Sequence, residues 1–87
     1  MYIIIVYDVA PKREPKLLKL LRQHLIWVQN SVFEGEMTPA GYEILREEII
    51  DIVNLRKDSI IIYTFESRSY SSRKIIGIEK NKTDSFI

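Results

Sequence analysis

Cysteine is absent from the 87 residues. That excludes a disulfide framework, thiolate catalysis and any metal site built on sulfur. Histidine occurs once, as His24, so a multi-histidine zinc site is excluded as well. Glycine is scarce, at three residues, and none stands in a Walker-type phosphate loop or a dinucleotide fingerprint. Serines cluster at residues 67–72 without the partnered histidine and aspartate of a nucleophilic triad. No apolar run is long enough to span a membrane, and the one that opens the chain lacks the basic flank of a signal peptide. The expectation is a soluble cytoplasmic protein with no membrane partner, built as one small domain.

Charge of one sign is also lacking, because the net value is only +1. The distribution is more informative. Lys12, Arg13, Lys16, Lys19 and Arg22 face a single acid, Glu14, within residues 12–22. Arg68, Arg73, Lys74, Lys80 and Lys82 face Glu66 and Glu79 in residues 66–82. Between them lies an acidic stretch with Glu43, Glu47, Glu48 and Asp51 around Arg46. The two basic stretches suit a phosphate backbone or a solvated surface, and the acidic one suits solvent or a basic partner.

The chain is organised around its first strand, Tyr2-Ile3-Ile4-Ile5-Val6-Tyr7-Asp8, an apolar run that ends on a carboxylate. Such a run fits a central strand buried on both faces. Pro15 then suits the first turn of a helix, with Leu17, Leu18, Leu20, Leu21 and Leu25 forming its apolar stripe. Ile26-Trp27-Val28 reads as a short strand, Asn30-Ser31 as a two-residue hairpin link, and Val32-Phe33-Glu34-Gly35-Glu36-Met37 as a strand with one solvated face. Thr38-Pro39 opens a second helix with Tyr42, Leu45, Ile49, Ile52 and Val53 inward. Residues 59–65 form another apolar strand. The order is β-α-β-β-α-β, an α+β ferredoxin-like domain with both helices on one face of the sheet. Ile75-Ile76-Gly77-Ile78 adds an extra C-terminal strand. The domain is expected over residues 1–78, and residues 79–87 form a flexible tail. Apolar residues of both parities in the first and last strands leave an apolar second face, which a homodimer covers most simply.

Carboxylate chemistry is what remains. Asp8 ends a buried strand, a rigid place for a functional group, although aspartate also caps helices at such positions. One aspartate makes a poor metal site, but a two-fold axis nearby doubles the count. A hard cation such as Mg²⁺, or Mn²⁺, held between two subunits accepts two carboxylates and retained waters. Trp27 and Phe33 suit base stacking or the core, and Glu34 with Glu36 suits a metal pair or solvated edge positions. His24 suits a general base or a helix surface.

Three blocks then carry a family likeness: Ile5-Val6-Tyr7-Asp8-Val9, Val28-Gln29-Asn30-Ser31-Val32-Phe33-Glu34-Gly35, and Asp58-Ser59-Ile60-Ile61-Ile62-Tyr63. They resemble, in order and spacing, the small CRISPR-associated ferredoxin-like family that partners the spacer integrase. The resemblance spans residues 1 to about 66, and the strand at 75–78 is similar to the family's C-terminal strand, which crosses to the partner's sheet. It implies a homodimer in prokaryotic antiviral defence that binds double-stranded DNA beside the integrase. Some members resemble metal-dependent endonucleases acting on single-stranded RNA or double-stranded DNA. The family's catalytic, metal-binding aspartate falls on Asp8, and its basic residues after the first strand fall on Lys12 and Arg13. Lys16, Arg22, Arg73 and Lys74 complete the expected nucleic-acid contacts. Two departures bear on activity: Trp27 stands where the family often has arginine, and Ala10-Pro11 replaces a serine or asparagine near the metal. Alternatives that keep the fold are a stand-alone toxin-like endoribonuclease and a non-catalytic ferredoxin-like binding domain.

Overall fold

The computed structural model describes residues 1–66. The expected strand at 75–78, the tail at 79–87, the limits of the domain and the side chains of Arg73 and Lys74 lie outside the described residues. Within them the order is β1 (Tyr2–Asp8), α1 (Glu14–His24), β2 (Ile26–Gln29), β3 (Val32–Glu36), α2 (Pro39–Ile52) and β4 (Ser59–Phe65). The β-α-β-β-α-β arrangement is therefore the one expected. The sheet runs β2-β3-β1-β4, with β1 antiparallel to both β3 and β4.

The two parities of β1 go to opposite faces. Ile3, Ile5 and Tyr7 are buried together with Leu17, Leu20 and Leu21 of α1 and Leu45 and Ile49 of α2, so both helices cover this face. Phe33 joins them from β3, its ring centroid 6.2 Å from that of Tyr7. The opposite parity lines Ile4 and Val6 of β1 with Val32 and Glu34 of β3 and with Ile61 and Tyr63 of β4. Ile26 of β2 pairs with Glu34 and so shares this second face. Ile26, Ile61 and Tyr63 are 63%, 47% and 51% exposed. The described chain thus has one well-packed face and a second face that is partly open: Ile26, Ile61 and Tyr63 are exposed there, whereas Tyr2 and Glu34 are buried.

Local signals account for most boundaries. Pro15 occupies the first turn of α1. The Thr38 hydroxyl accepts the Gly41 amide at 3.0 Å and Pro39 follows, which starts α2. Gln29 pairs with Val32, so Asn30-Ser31 is the hairpin link, and Asn30 takes the left-handed conformation that asparagine tolerates (φ 46°). A bulge between Trp27 and Gln29 accompanies the turn. Gly35 answers a close approach, because a Cβ there would meet Leu25 Cδ2 at 2.9 Å. One strand reading needs correction. β3 is interior, between β2 and β1, so Glu34 is not a solvated edge acid; it is buried at 7% exposure. Glu36 is exposed and lies 3.6 Å from the N-terminal amine.

Core and surface positions should respond very differently to truncation. Leu21→Ala, at a fully buried site, is expected to lower unfolding free energy by about 2–5 kcal/mol in urea titrations. Ile44→Ala, on the exposed side of α2, is expected to change it by about 0.5 kcal/mol or less. Equal losses would contradict the placement of the core.

Candidate functional site

β1 ends at Asp8, which is exposed and belongs to the parity of the open face. Its cross-strand neighbour in β4 is Ser59. Directly opposed side chains of an antiparallel pair sit about 5 Å apart at Cβ, so a hydroxyl flanks the carboxylate. Local reading overlooked Ser59 because only the β1–β4 register reveals it.

Tyr7 points the other way, into the core. Its hydroxyl lies 3.3 Å from Glu14 Oε2. Burial raises its pKa, and the Glu14 charge raises it further, so the phenol stays protonated and structural. Glu14 and Pro15 also occupy the first turn of α1. An acid and a residue without an N–H make this helix start a poor anion site.

The strongest polar constellation joins the loop after β1 to the loop before β4. Asp58 has a side chain only 1% exposed and receives both Arg13 Nε at 2.6 Å and Arg13 Nη2 at 2.8 Å. Its Oδ1 also accepts the Ala10 amide at 3.0 Å, and its Oδ2 the Asn54 amide at 2.8 Å. Four N–H groups therefore fill the four acceptor positions of one carboxylate. The Arg13 hydrogen bonds hold the Asp58 carboxyl well below the usual range; burial opposes them, and the Asn54 and Ala10 amides add to them. The same bonds raise the Arg13 pKa. Arg13, expected among the phosphate contacts, has its fork engaged and its side chain only 16% exposed.

Lys12, Lys16 and Arg22 are exposed, and Lys19 joins them. At helical spacing Lys16, Lys19 and Arg22 share the outer arc of α1, opposite the buried Leu17, Leu20 and Leu21. On α2 the outer arc is acidic, with Glu43, Glu47, Glu48 and Asp51 exposed and Arg46 paired to Glu43 at 3.0 Å. The helix layer thus presents one basic and one acidic ridge. Phe33 is fully buried in the core, and the Trp27 indole packs against it while donating to the Asn30 carbonyl at 2.9 Å. Phe33 is therefore a core residue, whereas Trp27 is half-buried at the edge of the core. His24 is exposed in the last turn of α1. A groove of about 390 Å³ runs between α2 and β4, lined mostly by apolar side chains such as Ile50, Val53 and Leu55, with Arg46, Asp58 and Ser59 as its polar residues.

Among the described residues no three acids or histidines gather in a metal-holding group. At the end of β1 a single chain offers a cation the Asp8 carboxylate, with Ser59 as its cross-strand neighbour. That donor set fits a hard ion only when a second copy repeats it.

The Asp58 clamp has a definite pH signature. Its folded-state carboxyl titrates below the value of about 3.9 usual for an unfolded aspartate. Between those two positions the unfolded chain binds a proton that the folded chain does not. Stability from this group is complete above about pH 5 and declines as pH falls through the unfolded value toward the lower folded one. Urea midpoints should therefore fall on acidification from pH 5, and more shallowly in Asp58→Asn. Parallel midpoint profiles for the two proteins would contradict the clamp.

Comparison with known proteins agrees with this arrangement. The family model described as CRISPR associated protein Cas2 matches residues 1–73. A protein of Dictyoglomus turgidum named CRISPR-associated endoribonuclease Cas2 is 48% identical over 87 residues, covering 100% of both chains. A Pyrococcus furiosus protein of the same name is 49% identical, also over 100% of both chains. A Cas2 crystal structure superposes with a TM-score of 0.84 at 38% identity, covering 100% of this chain and 98% of that one. Streptococcus pyogenes Cas2 superposes with a TM-score of 0.77 at 29% identity, covering 88% of this chain and 100% of that one. Sequence blocks, sheet order and the matched length converge: the chain belongs to the CRISPR-associated Cas2 family, ferredoxin-like partners in spacer acquisition.

Proposed function

We propose that the protein acts as a homodimer that holds double-stranded DNA beside the integrase during spacer acquisition. The observation that carries this reading is the division of the molecule into an open apolar sheet face, with Ile26, Ile61 and Tyr63 exposed, and a basic outer arc on α1. The apolar face is costly to leave in water and suits a second copy of itself. The cations of α1 then remain free on the outside, while the acidic ridge of α2 repels a phosphate backbone. The crossing of residues 75–78 onto the partner's sheet, drawn from the family likeness, belongs to the same proposal.

Nuclease activity is a further part of the reading, supported by the exposed Asp8 and by relatives named endoribonucleases. Asp8 lies on the face proposed to meet the partner. Two copies of Asp8, each with its Ser59 neighbour, would hold one Mg²⁺ or Mn²⁺ together with waters. The bound cation supplies charge neutralisation and a more acidic water. The chain's own residues do the rest: Asp8 ligates, Ser59 offers a hydroxyl beside it, and Lys12 and Lys16 draw the phosphates of single-stranded RNA or duplex DNA toward the site.

Two measurements test the parts separately. Neutralising Lys12 and Lys16 together should reduce the slope of log duplex affinity against log salt by roughly one unit per lost phosphate contact, equally for unrelated sequences. Arg13→Ala should leave that slope unchanged, because its fork is held by Asp58. An unaltered slope in the lysine variant would remove α1 from the footprint. Asp8→Asn should abolish cleavage in Mg²⁺ or Mn²⁺ while duplex affinity persists. Equal cleavage by wild type and Asp8→Asn would assign the activity elsewhere.

A further inference from the structure

We propose that Asp58 is a positioning residue for Asp8: it fixes the backbone on which Asp8 stands, at the point where β1 leaves the sheet. The proposal rests on the reading of Asp8 as a cation ligand. The last ladder pair of β1 with β4 is Asp8 with Ser59. Beyond it, Val9 and Ala10 have left the sheet, and Pro11 contributes no N–H of its own. The Ala10 amide, two residues past Asp8, donates to Asp58 Oδ1 at 3.0 Å. The Ala10 carbonyl accepts from the amides of Arg13 at 2.9 Å and Glu14 at 3.1 Å. Arg13 is in turn held through its side chain by the same Asp58. The segment from Ala10 to Arg13 is thus fastened at both ends to one carboxylate.

That carboxylate is itself rigid. Asp58 donates its own amide to the Asn54 carbonyl at 2.8 Å and accepts the Asn54 amide on Oδ2. It directly precedes Ser59, the cross-strand neighbour of Asp8. One side chain therefore sets the ends of both strands that carry the site. A ligand placed by such a network keeps its orientation when the cation arrives, which is the usual advantage of an oriented metal ligand. The geometry also explains the residue type. All four acceptor positions are filled by N–H donors, and an asparagine would turn an NH₂ against two of them.

The test uses full-length protein labelled with ¹⁵N. Amide hydrogen exchange is read at Ala10, and Mn²⁺ affinity by electron paramagnetic resonance titration, for wild type, Asp8→Asn, Arg13→Ala and Asp58→Ala. In Asp58→Ala the Ala10 amide should exchange faster while the Ile3 and Ile5 amides keep their protection. Mn²⁺ affinity should drop about tenfold, the lower end for a partner that orients a metal ligand. Arg13→Ala, which leaves the Ala10–Asp58 bond in place, should lose less. Where Asp58→Ala fails to fold, Asp58→Asn, with one acceptor oxygen retained, is measured for the same loss. A Mn²⁺ site that needs Asp8 but is untouched by loss of the Asp58 carboxylate overturns the positioning role alone. A wild type without a Mn²⁺ site, or one that Asp8→Asn retains, overturns the Asp8 reading and the positioning role with it.

Discussion

The antiparallel pairing of β1 with both β3 and β4 is the constraint on which the molecule depends. β1 lies between β3 and β4, and its residues Tyr2–Asp8 are apolar or aromatic at both parities until the last one. One parity anchors both helices through Ile3 and Ile5, each fully buried. The other parity creates an apolar sheet face that the helices do not reach. Asp8 then stands where the strand runs out, on the rim of that face. Its position follows from the pairing and needs no loop to present it.

Charge is sorted by the same geometry. Both helices lie on one face, so their outer arcs are the protein's outer surface on that side. α1 carries Lys16, Lys19 and Arg22 there, and α2 carries Glu43, Glu47, Glu48 and Asp51. A near-neutral chain thereby presents one ridge suited to phosphate and one that repels it. Arg13 stands between these roles. Its guanidinium is drawn inward to Asp58, so this cation ties loops together instead of facing solvent as its neighbour Lys12 does.

The fold was legible where the signals were local. Thr38-Pro39 named its own helix start, Asn30-Ser31 its own turn, and the stripe at Leu17, Leu20 and Leu21 its own buried face. The place of Asp8 at the end of β1 is legible too, because the apolar run stops there. What escaped was non-local. Arg13 and Asp58 are 45 residues apart, and nothing in either neighbourhood announces the pair. Ser59 became a neighbour of Asp8 only once the register was set. Glu34 was misplaced because alternation along β3 reveals the face of a side chain but not whether the strand is interior.

The proposed dimer sets the partly open sheet face against a second copy of itself. Ile61 lies on that face opposite Val6, 47% exposed in the single chain. The most direct measurement is the solution mass by light scattering of wild type and Ile61→Asp, with circular dichroism to verify the fold of each. Such a dimer gives the mass of two chains for wild type and of one folded chain for the variant, because a buried, unpaired carboxylate at the interface is strongly unfavourable. A single-chain mass for wild type at every concentration, or a dimer that Ile61→Asp leaves intact, would contradict it.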